Sequence, residues 1–318
     1  MSHTQIAYLI FGVVLFAALL FDILVLSKKG QKTTVREALV QTGFWTVLAI
    51  GFGIFVWKDE GTVYATKFFS AYLMEWSLSI DNIFVFILIF GFFRISDKDA
   101  ARALLIGVLA AIVFRVLFIA VGIELVDRFS WIMYIFGAIL LYTGIKLFFQ
   151  KDDHQFKPQD SPVYKIANKF FKVSHQEPDG KFFVKENGKN ALTSLSLVVL
   201  VLAFTDIVFA FDSIPTVVSL VRSGPREPFT ESDIMVIYSS NIFAVLGLRS
   251  LFFLLKGAAD KFKYLQQGIA FILVFIGVKM LIEFFHIHVS IYVSLGVIVL
   301  SVTVSVLYSL YRNNRVER

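Results

Sequence analysis

Two acids six residues apart, Glu75 and Asp81, stand in Glu75-Trp76-Ser77-Leu78-Ser79-Ile80-Asp81-Asn82, inside a run otherwise rich in Phe, Leu, Ile and Val. The same spacing returns in Thr205-Asp206-Ile207-Val208-Phe209-Ala210-Phe211-Asp212-Ser213-Ile214-Pro215, at Asp206 and Asp212. These four carboxylates, with Asn82, Thr205, Ser213 and Asn241 as possible further ligands, make an all-oxygen donor set suited to Mg²⁺, Ca²⁺ or Mn²⁺. An acid at the centre of a membrane helix costs roughly 2.5–3.5 kcal/mol, so four of them, uncompensated, would cost about 10–14 kcal/mol. Three compensations are open from the spacing: a bound cation, a proton relay without metal, or structural ion pairs with Arg115 and Arg249 as counter-charges. The chain has no cysteine, which removes disulfides, thiolate metal sites, Fe–S clusters and cysteine nucleophiles together. Any metal here must be held by oxygen or imidazole.

The elements that position these residues are membrane helices. Of 318 residues 57% are apolar and only 17% charged, with a mean hydropathy of +0.75; soluble domains carry about a quarter charged residues. A bilayer core needs about 20 apolar residues per helix. Nine such runs can be drawn, at 6–26, 37–57, 63–93, 101–123, 131–149, 191–221, 233–255, 265–285 and 288–311. The first is expected to stay as a helix, because Met1 to Gln5 holds no Lys or Arg and no small-residue cleavage pattern follows.

Lys and Arg fall in alternate loops, twenty-one in one set and five (Lys58, Lys67, Arg128, Arg222 and Arg226) in the other. This bias predicts an outside N-terminus, a cytoplasmic C-terminus and an odd number of spans. With the positive charge accounted for in this way, nucleic-acid binding is not expected, and the partner is the lipid bilayer. The polar stretch 150–190 reads as a cytoplasmic loop whose Asn187-Gly188, after Phe182-Phe183-Val184, marks a small hairpin.

Further charges repeat in order. Asp81 is followed after 34 residues by Arg115 and after 31 more by Lys146; Asp212 is followed after 37 by Arg249 and after 30 more by Lys279. Charges inside spans are rare, so this recurrence predicts two units of three helices, 63–149 and 191–285. Three is an odd number, so the second unit enters from the opposite side. The chain is therefore expected to be one all-α membrane domain, an inverted repeat of three plus three helices flanked by 6–26, 37–57 and 288–311, with its site at the repeat interface.

On an unbroken helix Glu75, Ser79 and Asn82 share one face, as do Asp206, Ala210 and Ser213, while Asp81 and Asp212 are offset. An interruption or a flanked groove is therefore expected between the acids of each pair, with Pro215 as the weak point of the second. Asp22 either joins the site or is a paired surface group. Lys146 and Lys279 read as snorkelling residues near span ends, and His286 and His288 as a surface pair. Neither a phosphate-cradling glycine loop nor a zinc-protease or nucleophile-elbow signature is found, so no enzyme activity is expected.

The segments 75–82, Gly107 to Arg115, Trp131 to Gly137, 206–215, Ser240 to Arg249 and Phe275 to Met280 resemble the TerC family of bacterial integral membrane proteins. The resemblance implies a multi-pass plasma (inner) membrane transporter of metal ions, most often linked to Mn²⁺ export, with its functional acids at Glu75, Asp81, Asp206 and Asp212. The family's second motif often starts with a Glu three residues before the first Asp; here Ala203 stands there. The leading expectation is secondary export of Mn²⁺, with H⁺ as counter-ion and no organic cofactor. The competing one is a non-transporting membrane scaffold or metal-delivery partner linked to metal or tellurite stress.

Overall fold

The computed structural model describes residues 3–22, 34–93, 95–129, 131–149, 181–186, 189–222, 228–256, 264–285, 287 and 289–316. Among these lie nine long helices and one two-stranded hairpin: α1 (His3–Phe21), α2 (Val35–Glu60), α3 (Thr62–Phe92), α4 (Asp97–Arg128), α5 (Ile132–Phe149), β1 (Phe183–Glu186), β2 (Lys189–Leu192), α6 (Ser194–Val221), α7 (Glu231–Lys256), α8 (Leu265–Ile282) and α9 (Ile291–Val316). Seven of them, α2 and α4 to α9, contain segments long and apolar enough to cross a membrane, and α1 is apolar over Tyr8–Phe21. Along its length α3 carries Lys67, Glu75 and Asp81. The protein is an all-helical, multi-span integral membrane protein. Strands β1 and β2 pair antiparallel on either side of Asn187-Gly188, with Glu186 opposite Lys189.

Local chemistry starts several of these helices. Thr34 and Glu37 exchange side-chain-to-backbone bonds at the head of α2, a capping box. Ser96 accepts from the Asp99 amide at the head of α4, and Thr230 accepts from the Asp233 amide at the head of α7. Each of these two aspartates stands 16 residues before an arginine, Arg115 or Arg249. Helices α2 and α3 are joined by the single residue Gly61, whose φ of 91° lies where an L side chain is strained.

Inter-helix contacts define the directions. Lys67 meets Asp233 and Glu75 meets Asn241, both 166 residues apart, so α3 and α7 run the same way. Gly107 lies against Leu202, Arg115 against Asp206 and Gly122 against Ile214, so α4 and α6 are also parallel to each other. Phe52 packs on Phe243 while Thr42 reaches Ser250, which sets α2 against α7. Helix α8 runs against α5, with Gly277 by Gly137 and Ala270 by Gly144.

The core of the bundle is α3, α4, α6 and α7, and nearly every residue of α7 is buried. Helix α4 shows how the sequence sorts: Ile106, Leu109, Val113, Leu117 and Val121 face outward at helical spacing, while Leu104, Val108, Ala111, Arg115 and Ile119 face inward. An arginine on the inner face of such a helix has only other protein groups to meet.

Glycine lets α5 and α8 approach closely. A Cβ at Gly277 would lie 2.6 Å from the Leu141 nitrogen and 2.8 Å from the Gly137 oxygen, both backbone atoms that cannot give way. Membrane helices associate largely through such small-residue contacts. Gly277→Val should therefore lower the melting temperature of the purified protein by several degrees, whereas Gly296→Ala, whose Cβ meets nothing within 4 Å, should not. Thermal unfolding of the two variants in detergent checks this.

Candidate ion centre

Glu75, on α3, and Asp206, on α6, meet at one guanidinium. Arg115 of α4 donates from Nη1 to Glu75 Oε2 at 2.6 Å, and as a fork from Nε and Nη2 to Asp206 Oδ2 and Oδ1 at 3.1 and 3.0 Å. Asn241 of α7 donates from Nδ2 to Glu75 Oε1 at 2.6 Å and accepts from Arg115 Nη1 at 3.4 Å. Glu75, Arg115, Asp206 and Asn241 are 0%, 1%, 3% and 1% exposed, so water screens nothing here. Four helices thus contribute one group each to a closed polar layer, and all four carboxylate oxygens hold an N–H donor. Among the described side chains, two carboxylates against one guanidinium leave the layer with one negative charge in excess.

The helical wheel carried by the sequence places the neighbours. Ser79 and Asn82 are buried on the face of Glu75, and Ala210 and Ser213 on the face of Asp206. The Ser79 and Ser213 hydroxyls are buried and find no partner among the described groups. Thr205 donates to the Val201 carbonyl of its own helix at 2.6 Å.

Of the two expectations, an interruption or a flanked groove, the interruption is not found. Helix α3 is continuous through 75–82, and α6 is continuous past Pro215, because the bonds on either side of the proline keep the helical path. The side chains of Asp81 and Asp212 lie outside the described ones. Their helix positions are described: each is six residues, about 9 Å along the axis, beyond the acid in its motif. Because α3 and α6 run in opposite directions, Asp81 and Asp212 fall on opposite sides of the Arg115 layer. Among the described residues no three Asp, Glu or His side chains gather closely enough to hold a metal by themselves.

Arg249, the second expected counter-charge, meets an acid of its own: its Nη2 donates to Asp22 Oδ2 at 2.7 Å, between α7 and the end of α1. Asp22 is therefore a buried interhelical partner and not a surface group. Lys146 is exposed near the end of α5, as snorkelling requires, but Lys279 is buried, its Nζ 3.5 Å from the Ser219 carbonyl, because α8 packs onto the end of α6. His286 and His288 lie outside the described residues. A pair not anticipated from sequence is Lys67 to Asp233, 2.7 Å apart and almost fully buried. Its signal was present: Thr230-x-x-Asp233 matches Ser96-x-x-Asp99 at the same distance before an arginine.

A family model described as "Integral membrane protein TerC family" matches residues 60–317. The chain belongs to the TerC family of integral membrane proteins. Relatives of this TerC chain extend over almost its whole length. An "Uncharacterized membrane protein" of Rickettsia bellii is 35% identical over 312 residues, 98% of this chain and 99% of that protein. "Uncharacterized membrane protein STKORF319" of Myxococcus xanthus is 37% identical over 92% of this chain and 89% of its own. The Escherichia coli (strain K12) protein named "Putative membrane-bound redox modulator Alx" is 37% identical over 91% of this chain and 89% of its own. No solved structure matches.

The layer predicts an asymmetric response to substitution. Asn241→Leu leaves Glu75 Oε1 buried without a donor, at a cost of about 1–3 kcal/mol. Glu75→Gln keeps an acceptor for Arg115 and removes the excess charge, so it should cost less. The order of the two melting temperatures tests this.

Proposed function

We propose that this protein is a secondary transporter that exports divalent metal cations, Mn²⁺ first among them, across the bacterial plasma (inner) membrane in exchange for protons, and that it is not an enzyme. The observation that carries the reading is the meeting of Glu75 and Asp206, one acid from each motif, inside a membrane-spanning bundle. Structural ion pairs alone do not need an excess carboxylate in a layer shielded from water; a cation path does. The hydroxyls of Ser79 and Ser213 supply further oxygen donors on the same two faces. An all-oxygen set suits hard divalent cations, and within that class Mn²⁺ rests on the TerC resemblance. Carboxylates that lose their cation can take up protons on the return, which gives exchange a physical route.

The helix arrangement supports nine crossings and an inverted repeat of 63–149 and 191–285. If the units are set side by side as α3–α4–α5 and α6–α7–α8, exchanging them turns the α3·α7 pairing into the α6·α4 pairing, and both are parallel. The same exchange maps Gly144 onto Gly277 and Gly137 onto Ala270, so the two close contacts of the antiparallel α5·α8 pair become each other. The loop charges then set the N-terminus outside and the C-terminus in the cytoplasm.

A second reading, a non-transporting scaffold or metal-delivery partner, is favoured by the lack of three convergent acids or histidines among the described side chains. The redox role in the printed name of the E. coli relative has no thiol to act through in this chain, which contains no cysteine. Purified protein in liposomes separates the two readings. The transporter gives Mn²⁺ flux, competed by Fe²⁺, Mg²⁺ or Ca²⁺ according to its preference, and loses it in Asp81→Asn and in Asp212→Asn. Wild-type vesicles without metal flux would sink the transport reading, and full flux in both variants would sink the carboxylate route.

A further inference from the structure

We infer that the Lys67 to Asp233 ion pair is the outer gate of the ion path: it closes the external side of the Glu75 and Asp206 layer and must part for a divalent cation to leave. This rests on the transport reading and the orientation given above, and it assigns a role to two residues outside both acidic motifs.

Helix spacing fixes the position of the pair. Lys67 stands eight residues before Glu75 on α3, and Asp233 eight before Asn241 on the parallel α7, so the pair lies about 12 Å from the layer. Loop charges place this end of the two helices outside. The helix position of Asp212 lies on the same side of the layer, about 9 Å along α6. An ion moving outward from Glu75 and Asp206 therefore passes the level of Asp212 and then meets the pair. With Nζ 2.7 Å from Oδ1 and both residues buried, the closed pair keeps water out and sets a positive charge across the exit.

The two sides of the layer are unequal. When the units are exchanged, Asp99 takes the place of Asp233, each 16 residues before its arginine, and Val198 takes the place of Lys67, each eight before its acid. The lysine has no counterpart, and Asp99 Oδ1 is buried without a partner among the described groups. Gly107 likewise stands where Asn241 does, eight residues before the arginine, so the amide that holds Glu75 has no counterpart over Asp206. A cavity of about 10 Å³, room for one water, fills that place and touches Asp206 between Gly107, Ala111, Leu202 and Leu248. On this cytoplasmic side Arg249 ties α7 to the end of α1 through Asp22. The layer is thus touched by a cavity from within and latched between α3 and α7 from without.

Opening this pair strands no charge. Lys67 is five residues after the start of α3 and Asp233 two after the start of α7, so water from the outer face reaches both as the helix ends separate. Asp233 Oδ2 stays bound to the Thr230 amide and hydroxyl, which fixes the acid while the lysine moves. A compact, strongly hydrated ammonium on a flexible stem suits that motion better than a forked guanidinium does.

The test uses introduced thiols, since the chain has no cysteine of its own. Ala71 is buried on α3, four residues from Lys67 and four from Glu75, and Ala111 lines the cavity on the other side of the layer. Vesicles holding the full-length protein are treated from the outside with a membrane-impermeant trimethylammonium methanethiosulfonate. Ala71→Cys alone should react slowly. Adding Lys67→Met or Asp233→Asn should raise its rate on the order of tenfold, as the outward-open population grows by that factor, while the Ala111→Cys rate stays unchanged. Asp233→Asn keeps an oxygen for Thr230 and carries the test if Lys67→Met does not fold. Unchanged Ala71→Cys labelling in the folded variants, or an equal rise at Ala111→Cys, overturns the gate, and Mn²⁺ flux through wild type in liposomes then leaves the transport reading intact. Wild type without flux overturns both.

Discussion

A buried guanidinium between two carboxylates is the interaction on which this bundle depends. In a medium from which water is excluded, neither Glu75 nor Asp206 can stay ionised without a donor, and Arg115 cannot stay charged without an acceptor. Each removes the desolvation penalty of the others only while α3, α4, α6 and α7 hold them within hydrogen-bond distance. The layer therefore demands four helices in register. A buried ion pair is by itself weak evidence of net stability, because desolvation offsets the attraction, but its demand on geometry is strict.

Packing meets that demand by different means at different depths. On one side of the layer the Lys67 to Asp233 pair ties α3 to α7, with the Thr230 hydroxyl donating to the second Asp233 oxygen. Between α1, α2, α3 and α7, Phe11, Phe52, Phe68 and Phe243 interlock, with ring centroids about 5 to 6 Å apart. The α5·α8 pair is held by backbone approach through glycine. Aromatic packing and ion pairs thus tie the core helices to one another and to α1 and α2, and small-residue packing holds the α5·α8 pair. The tight link at Gly61 keeps α2 against α3, so the flanking helices are not loosely attached.

Much of this was readable before any coordinates. The nine runs of hydrophobic residues coincide with the nine helices to within a few residues at each end, because length and lipid compatibility are local properties. The inward faces were readable too: Glu75, Ser79 and Asn82 share a helical face and all are buried. Of the interruption and the flanked groove expected between the paired acids, the interruption is absent for a definite reason. It assumed that both acids of a motif must reach one point, whereas on continuous antiparallel helices the inner acids meet at Arg115 and the outer two lie about a turn and a half away on opposite sides.

The sequence by itself determined that the chain is a multi-span membrane protein, which residues lie on polar faces of its spans, and that acids, arginine and lysine recur in two matching sets. Only the tertiary structure decided the partners. Arg115 and Arg249 are equivalent in spacing, yet one bridges Glu75 and Asp206 and the other goes to Asp22. Lys146 and Lys279 are equivalent as well, yet one is exposed and the other lies under the end of α6. Spacing along a helix sets the height and face of a charge. Which opposite charge stands at that height depends on how neighbouring helices are staggered, and that stagger comes from side-chain packing and glycine contacts between segments far apart in the chain.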